Sequence, residues 1–337
     1  MRGRAGRGKL VLGVALVLLG VAGIAPTFVG AMRQGRNTAA IVAPRATAQP
    51  TVPPVNPPTP THNAQVARQL TPTPMLMAAG VPSGSQLVER TFFSLTLGRE
   101  MPYFVYLPVG YAESDKRYPV LYMLHGRGEP GIGGSDTEWV AYGLPETADR
   151  MMNAGEIQQM ILVMPQGDQS YWMNHAGGSR WGDYTAKDVV AHMDATYRTI
   201  PDAAHRAVGG LSMGGHGSIQ LAINHPGVFG SVGMHSGTLR TFEERLDYFG
   251  DRAHFATIDP ASLVRQYPDR ARALRIFMDV GQQDAQWGKQ VGAFHNLLSS
   301  LGVPHAFESW QGEHNAFYWG PHIPDYLRFY NAGFPPS

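Results

Sequence analysis

From residue 84 onward, short apolar runs alternate with segments in which apolar residues recur at helical spacing. Tyr118-Pro119-Val120-Leu121-Tyr122-Met123-Leu124 is an almost unbroken apolar run, the signature of a strand covered on both faces. Comparable runs occupy 160–164, 207–211, 228–234 and 274–280, with a weaker last one at 305–310. Ahead of them, two β-rich runs at 92–97 and 102–107 flank Gly98-Arg99-Glu100 and predict an antiparallel pair. Helical spacing marks 184–197, with Asp183 as its expected N-cap, then 214–224 and 286–301. Strands alternating with helices predict one α/β domain over 85–337, a mainly parallel sheet with helices on both faces.

The stretch before that domain has a different pattern. Arg2, Arg4, Arg7 and Lys9 precede an uncharged run from Leu10 to Met32, which reads as a signal peptide or an uncleaved membrane anchor over 1–32. Small residues at Val29-Gly30-Ala31 suit cleavage after Ala31. Either reading leaves the rest of the chain secreted or tethered to the outer face of the cytoplasmic membrane. Nine prolines between Pro44 and Pro74 make 33–84 an extended, solvated linker, because proline fixes φ and lacks a backbone donor.

Charge and composition remove several function classes. Of 27 basic residues eight precede Glu89, and the other 19 face 26 acidic ones, so the body carries a net charge of −7. A mildly acidic body gives no basic face for nucleic acid. The chain has no cysteine, which excludes disulfides, a thiolate nucleophile and Cys-ligated zinc. The histidines show no H-E-x-x-H or similar spacing, so neither a metal nor a cofactor is expected.

The chemistry centres on Gly210-Leu211-Ser212-Met213-Gly214, which matches G-x-S-x-G at the end of a predicted strand and the start of a small-residue helix. That context is what a nucleophilic serine requires. A sharp turn lifts the hydroxyl above the sheet, and a base must then remove its proton during attack. In chain order the acid follows the serine and the histidine comes last. His314, in the polar turn Gly312-Glu313-His314-Asn315, is the expected base. Asp284, on the loop beyond the 274–280 strand, is preferred as the acid over Asp279, which falls inside the strand and is expected to be a hydrogen-bonding strut under that loop. The oxyanion donors are expected to be the N–H of Met213 and that of Arg127, with Gly126 the alternative, in Leu124-His125-Gly126-Arg127-Gly128.

Taken together these blocks resemble the esterase D and feruloyl-esterase-like branch of the α/β-hydrolases, which includes the bacterial mycolyltransferases. The resemblance covers roughly 86–330 and rests on 118–126, on Trp181-Gly182-Asp183-Tyr184, on 209–217, on Asp279-Val280-Gly281 with Asp284, and on Gly312-Glu313-His314 with Trp319. It implies a sheet of about eight strands, no cofactor, and a triad of Ser212, Asp284 and His314. It also implies a serine carboxylic-ester hydrolase acting on a small-molecule or polysaccharide-linked ester. Acyl transfer by the same triad, or a non-catalytic wall-binding role on this scaffold, are the alternatives. The aromatic segment between Gln166 and Trp181 either lines the pocket or packs in the core, and His125, Trp172 and Trp181 are the pocket candidates, with His125 also expected to shape its loop.

Overall fold

The computed structural model describes residues 84–128 and 135–336. The expected leader over 1–32 and all but the last residue of the 33–84 linker lie outside the described residues. Among the described residues no helix is long and apolar enough to cross a membrane.

Eight strands form one sheet in the order β1-β2-β4-β3-β5-β6-β7-β8. They are β1 Gln86–Ser94, β2 Arg99–Leu107, β3 Val120–Leu124, β4 Ile161–Pro165, β5 Arg206–Leu211, β6 Ser231–His235, β7 Arg275–Gly281 and β8 His305–Trp310. The β1–β2 and β2–β4 pairs are antiparallel and all later pairs are parallel. This is the α/β-hydrolase architecture.

The apolar runs become central strands because both faces are covered. In β3, Val120, Tyr122 and Leu124 point into one hydrophobic cluster while Leu121 and Met123 point into the other. The first cluster is closed by the helices Met213–Asn224, Pro260–Gln266 and Gly288–Ser300. The second is closed by Leu144–Asn153 and Ala316–Gly333. The alternation of side chains along a strand produces this division.

Two local expectations are corrected. β1 begins at Gln86 and ends at Ser94, whereas the apolar run suggested 92–97; Leu95 is exposed in the turn. As an edge strand, β1 is largely solvated over its first half and carries little apolar signal there. Asp183 is not an N-cap. Helical structure already begins at Trp181, and the Asp183 carboxylate is buried between Arg180 and Lys187, 2.7 Å from the Lys187 ammonium. The segment then runs through a π-helical stretch, Tyr184–Val189, before becoming α-helical over Val190–Thr196. Within that stretch Asp188 accepts hydrogen bonds from Ser94 Oγ, Thr96 N and Thr96 Oγ1, holding the β1–β2 turn.

Candidate active site

Ser212, Asp284 and His314 each lie beyond the carboxyl end of a parallel strand, where this class of sheet opens a crevice. β5 ends at Leu211 and Ser212 follows with φ 54° and ψ −115°. A non-glycine residue at positive φ costs about 1–3 kcal/mol and must be held by its surroundings. Four backbone bonds hold this one. Ser212 N–H donates to His235 O at 2.8 Å, and its carbonyl accepts from Gly215, His216 and Thr238. The flanking glycines are required by close approach. A Cβ at Gly210 would lie 2.5 Å from the Gly214 carbonyl carbon, and one at Gly214 would lie 2.3 Å from Leu124 O. Ser212 therefore starts the helix Met213–Asn224 with its hydroxyl partly exposed above the sheet.

His314 comes from the loop after β8, and its Nε2 lies 2.8 Å from Ser212 Oγ. Its Nδ1 lies 2.8 Å from Asp284 Oδ2, on the loop after β7. The other oxygen of Asp284 accepts the Trp287 N–H at 2.9 Å, so this buried carboxylate is engaged at both oxygens. An acceptor at Nδ1 fixes the tautomer that leaves Nε2 facing the hydroxyl. Trp319 packs edge-on against the imidazole at 4.9 Å, and the Trp287 ring lies tilted to it at 6.4 Å. The loops carrying acid and histidine are stapled together: Gln283 N–H donates to Gly312 O, and Gly312 N–H donates to Gln283 Oε1.

Asp279 has a different job. It is fully buried and accepts from His235 Nδ1 at 2.6 Å, Tyr318 OH at 2.9 Å and Tyr326 OH at 3.2 Å. His235 in turn accepts at Nε2 from Tyr330 OH. Burial first, and the Asp279 charge second, push the Tyr318 and Tyr326 hydroxyls far above their usual range. This network bolts β7 to the helix that follows His314.

On the opposite side of Ser212, β3 ends at Leu124 and the chain turns through His125-Gly126-Arg127. Glu138 Oε2 accepts the Gly126 N–H at 2.5 Å, which removes Gly126 from the candidate anion donors. Among the described residues no acceptor takes the N–H of Arg127 or of Met213. Glu138 is buried, and no sequence motif pointed to it.

A cavity of about 260 Å³ opens beside the serine. Arg127, Glu138, Tyr171, Ser212, Thr238, Arg240, Trp287, His314 and Trp319 contribute to its wall. His125, Trp172 and Trp181 do not, which corrects their expected place in the pocket. His125 is buried beneath the loop, with Nδ1 donating to Gly126 O at 2.6 Å and Nε2 accepting from Gly167 N at 2.9 Å. Burial pushes its pKa down to about 4, outweighing its hydrogen bonds, so the ring is neutral. Trp172 is wholly buried against Gly167 and Gly217, and its indole N–H donates to His125 O. Trp181 is buried against Tyr184 and under the Arg99 guanidinium. Of the aromatic segment, Tyr171 alone reaches the wall. Among the described residues no group of three or more His, Asp or Glu side chains could hold a metal ion.

The family described as "Putative esterase" matches residues 94–330. The chain belongs to this esterase family. An esterase of Mycobacterium tuberculosis is 29% identical over 244 residues, covering 62% of this chain and 51% of the relative. The chain therefore spans about half the length of that curated relative. A Xylanibacter ruminicola endo-1,4-beta-xylanase/feruloyl esterase is 32% identical over 170 residues, 47% of this chain and 22% of the relative. Among solved structures, a ferulic acid esterase superposes with a TM-score of 0.66 at 26% identity, covering 74% of this family member and 100% of that chain. A fluorophosphonate-binding serine hydrolase of Staphylococcus aureus shares the fold, with a TM-score of 0.61 at 20% identity over 73% of this chain and 98% of its own.

Proposed function

We propose that this family member is a serine carboxylic-ester hydrolase working through an acyl-Ser212 intermediate. The observation that carries the reading is the unbroken line from Asp284 through His314 to Ser212, with 2.8 Å at each link and the hydroxyl at the mouth of a cavity. In this reading Ser212 Oγ attacks the ester carbonyl while its proton passes to His314 Nε2. Asp284 stabilises the resulting imidazolium without taking its proton. The oxyanion is received by the N–H groups of Met213 and Arg127, at the start of a helix whose dipole favours negative charge. Collapse expels the alcohol, which leaves with the proton from His314. A water molecule then repeats the sequence on the acyl-serine and releases the carboxylic acid. Tyr171, Trp287 and Trp319 give the cavity an aromatic wall, and relatives named as feruloyl esterases favour a compact aromatic acyl group as the first class to assay. The charged start and uncharged run of the leader support action outside the cytoplasm.

One experiment addresses both parts. A membrane-impermeant fluorophosphonate added to intact cells is expected to label the chain at Ser212, and S212A or H314A to abolish labelling. Both variants should also lower turnover of 4-nitrophenyl acetate by at least a thousandfold, whereas H295A, whose imidazole meets His305 at the amino end of β8, should change it less than threefold. Labelling of purified wild-type protein that persists in S212A would refute the catalytic assignment. Labelling confined to broken cells would refute the location.

A further inference from the structure

We propose that the cavity beside Ser212 carries an anion subsite built on Arg240, and that the ester it takes bears a carboxylate or phosphate group. This rests on Ser212 acting as an ester-cleaving nucleophile and adds a substrate class to that reading. Arg240 lies on the loop after β6 and lines the same cavity as Ser212 and His314. Its guanidinium is held in place by neutral groups. Nε donates to Tyr171 OH at 2.9 Å and Nη1 donates to Glu244 O at 3.3 Å. Its charge also sits 5.2 Å from the Trp287 ring centroid and 5.7 Å from that of Tyr171. Among the described residues it has no carboxylate partner, and Nη2 has no acceptor.

The supporting wall is built rather than incidental. Tyr171 and Trp172 both take φ 56°, an unusual backbone for aromatic residues. Trp172 is locked in the core by its indole bond to His125 O and by Gln220 Nε2 donating to its carbonyl at 2.6 Å. That lock holds the neighbouring Tyr171 hydroxyl against Arg240 and against Thr238 Oγ1, at 3.2 Å. Thr238 is itself fixed through its N–H to Ser212 O. A cation positioned this way, with no described carboxylate bonded to it although Glu138 lies elsewhere on the same wall, favours a substrate that supplies the charge. Arginine suits this role because its planar fork can pair with a carboxylate or phosphate.

The test measures preference, as the ratio of kcat/KM for an anionic ester to that for a neutral ester of matched length. Mono-4-nitrophenyl adipate against 4-nitrophenyl hexanoate probes charge on the acyl side. 4-Acetoxybenzoate against phenyl acetate probes it on the alcohol side, and 4-acetoxyphenyl phosphate replaces carboxylate by phosphate. The wild-type protein is expected to favour the anionic member at least tenfold on one side, with the preference shrinking as salt rises. R240Q should lower that ratio at least tenfold, and R240K should retain part of it. A wild-type ratio at or below one on both sides overturns the subsite. So does a ratio unchanged in R240Q, because a purely structural arginine would depress both substrates together. If no ester is turned over and Ser212 resists fluorophosphonate, the hydrolase reading fails with it. If neutral esters are cleaved well and no anionic preference exists, the subsite alone fails.

Discussion

At the scale of single residues, Glu138 shows how a side chain distant from the reacting atoms can shape them. Its carboxylate captures the Gly126 N–H, which fixes the turn carrying Arg127 while leaving the Arg127 N–H without a described acceptor. Loss of one oxyanion donor typically costs about 3 kcal/mol of transition-state stabilisation. E138A should therefore reduce kcat by roughly ten- to a hundredfold while changing KM little, because the turn is misplaced and not deleted. E138Q retains an acceptor oxygen and should recover much of the loss. Equal defects in E138A and E138Q, or a change confined to KM, would contradict this positioning role. Nothing in the sequence marked Glu138 or Arg240, since neither lies in a motif and both reach the cavity only through where strands β3 and β6 end. The nucleophile, base and acid were legible because their chemistry demands particular residues at strand ends in a particular order. Trp172 and Trp181 misled for a physical reason. A run rich in aromatics can line a pocket or fill a core, and the room that Gly167 and Gly217 leave for the Trp172 indole is a tertiary fact.

At the scale of elements, central strands were easy to read because burial on both faces leaves unbroken apolar runs. The edge strand and the π-helical stretch were not, since the first is half-solvated and the second keeps near-helical spacing. Between elements, the polar joint around Asp279 is fully buried. Strand β7 delivers both Asp279 and the loop with Asp284, and the helix Ala316–Gly333 returns Tyr318 and Tyr326 to Asp279. D279A would leave two tyrosine hydroxyls and His235 without their acceptor in a dry interior. Each unmet buried group costs about 1–3 kcal/mol, so an overall loss of several kcal/mol is expected. Denaturant unfolding should show a lower midpoint for D279A with little change in slope. A midpoint within error of wild type would mean that the joint contributes nothing to holding helix and strand together.

At the scale of the whole molecule, buried titratable groups set how stability responds to acid. Burial pushes His125 and His216 down to about 4, against an ordinary value near 6.5. Between those values the unfolded chain binds protons that the folded chain refuses, so stability falls as pH drops through this window. Each histidine contributes roughly 2–3 kcal/mol of that fall by pH 4. Asp136 acts in the opposite sense. Burial and then the Glu89 charge raise it to about 6, so its contribution is present at low pH and fades as pH rises through 6. Two histidines against one carboxyl predict a net decline, and Tm measured by calorimetry should drop steadily from pH 7 to pH 4.5. A flat or rising Tm over that range would show that the histidines are not held neutral.

The cross-staple between Gln283 and Gly312 fastens the proton-handling pair to itself, with no help from the serine. Removing the hydroxyl should thus leave an intact but inert receptacle, poised around a substrate it can grip and cannot cleave. S212A is for that reason a bait. Incubated with extracts of cell envelope or plant polysaccharide, it should retain its own ester long enough for mass spectrometry to read what was caught.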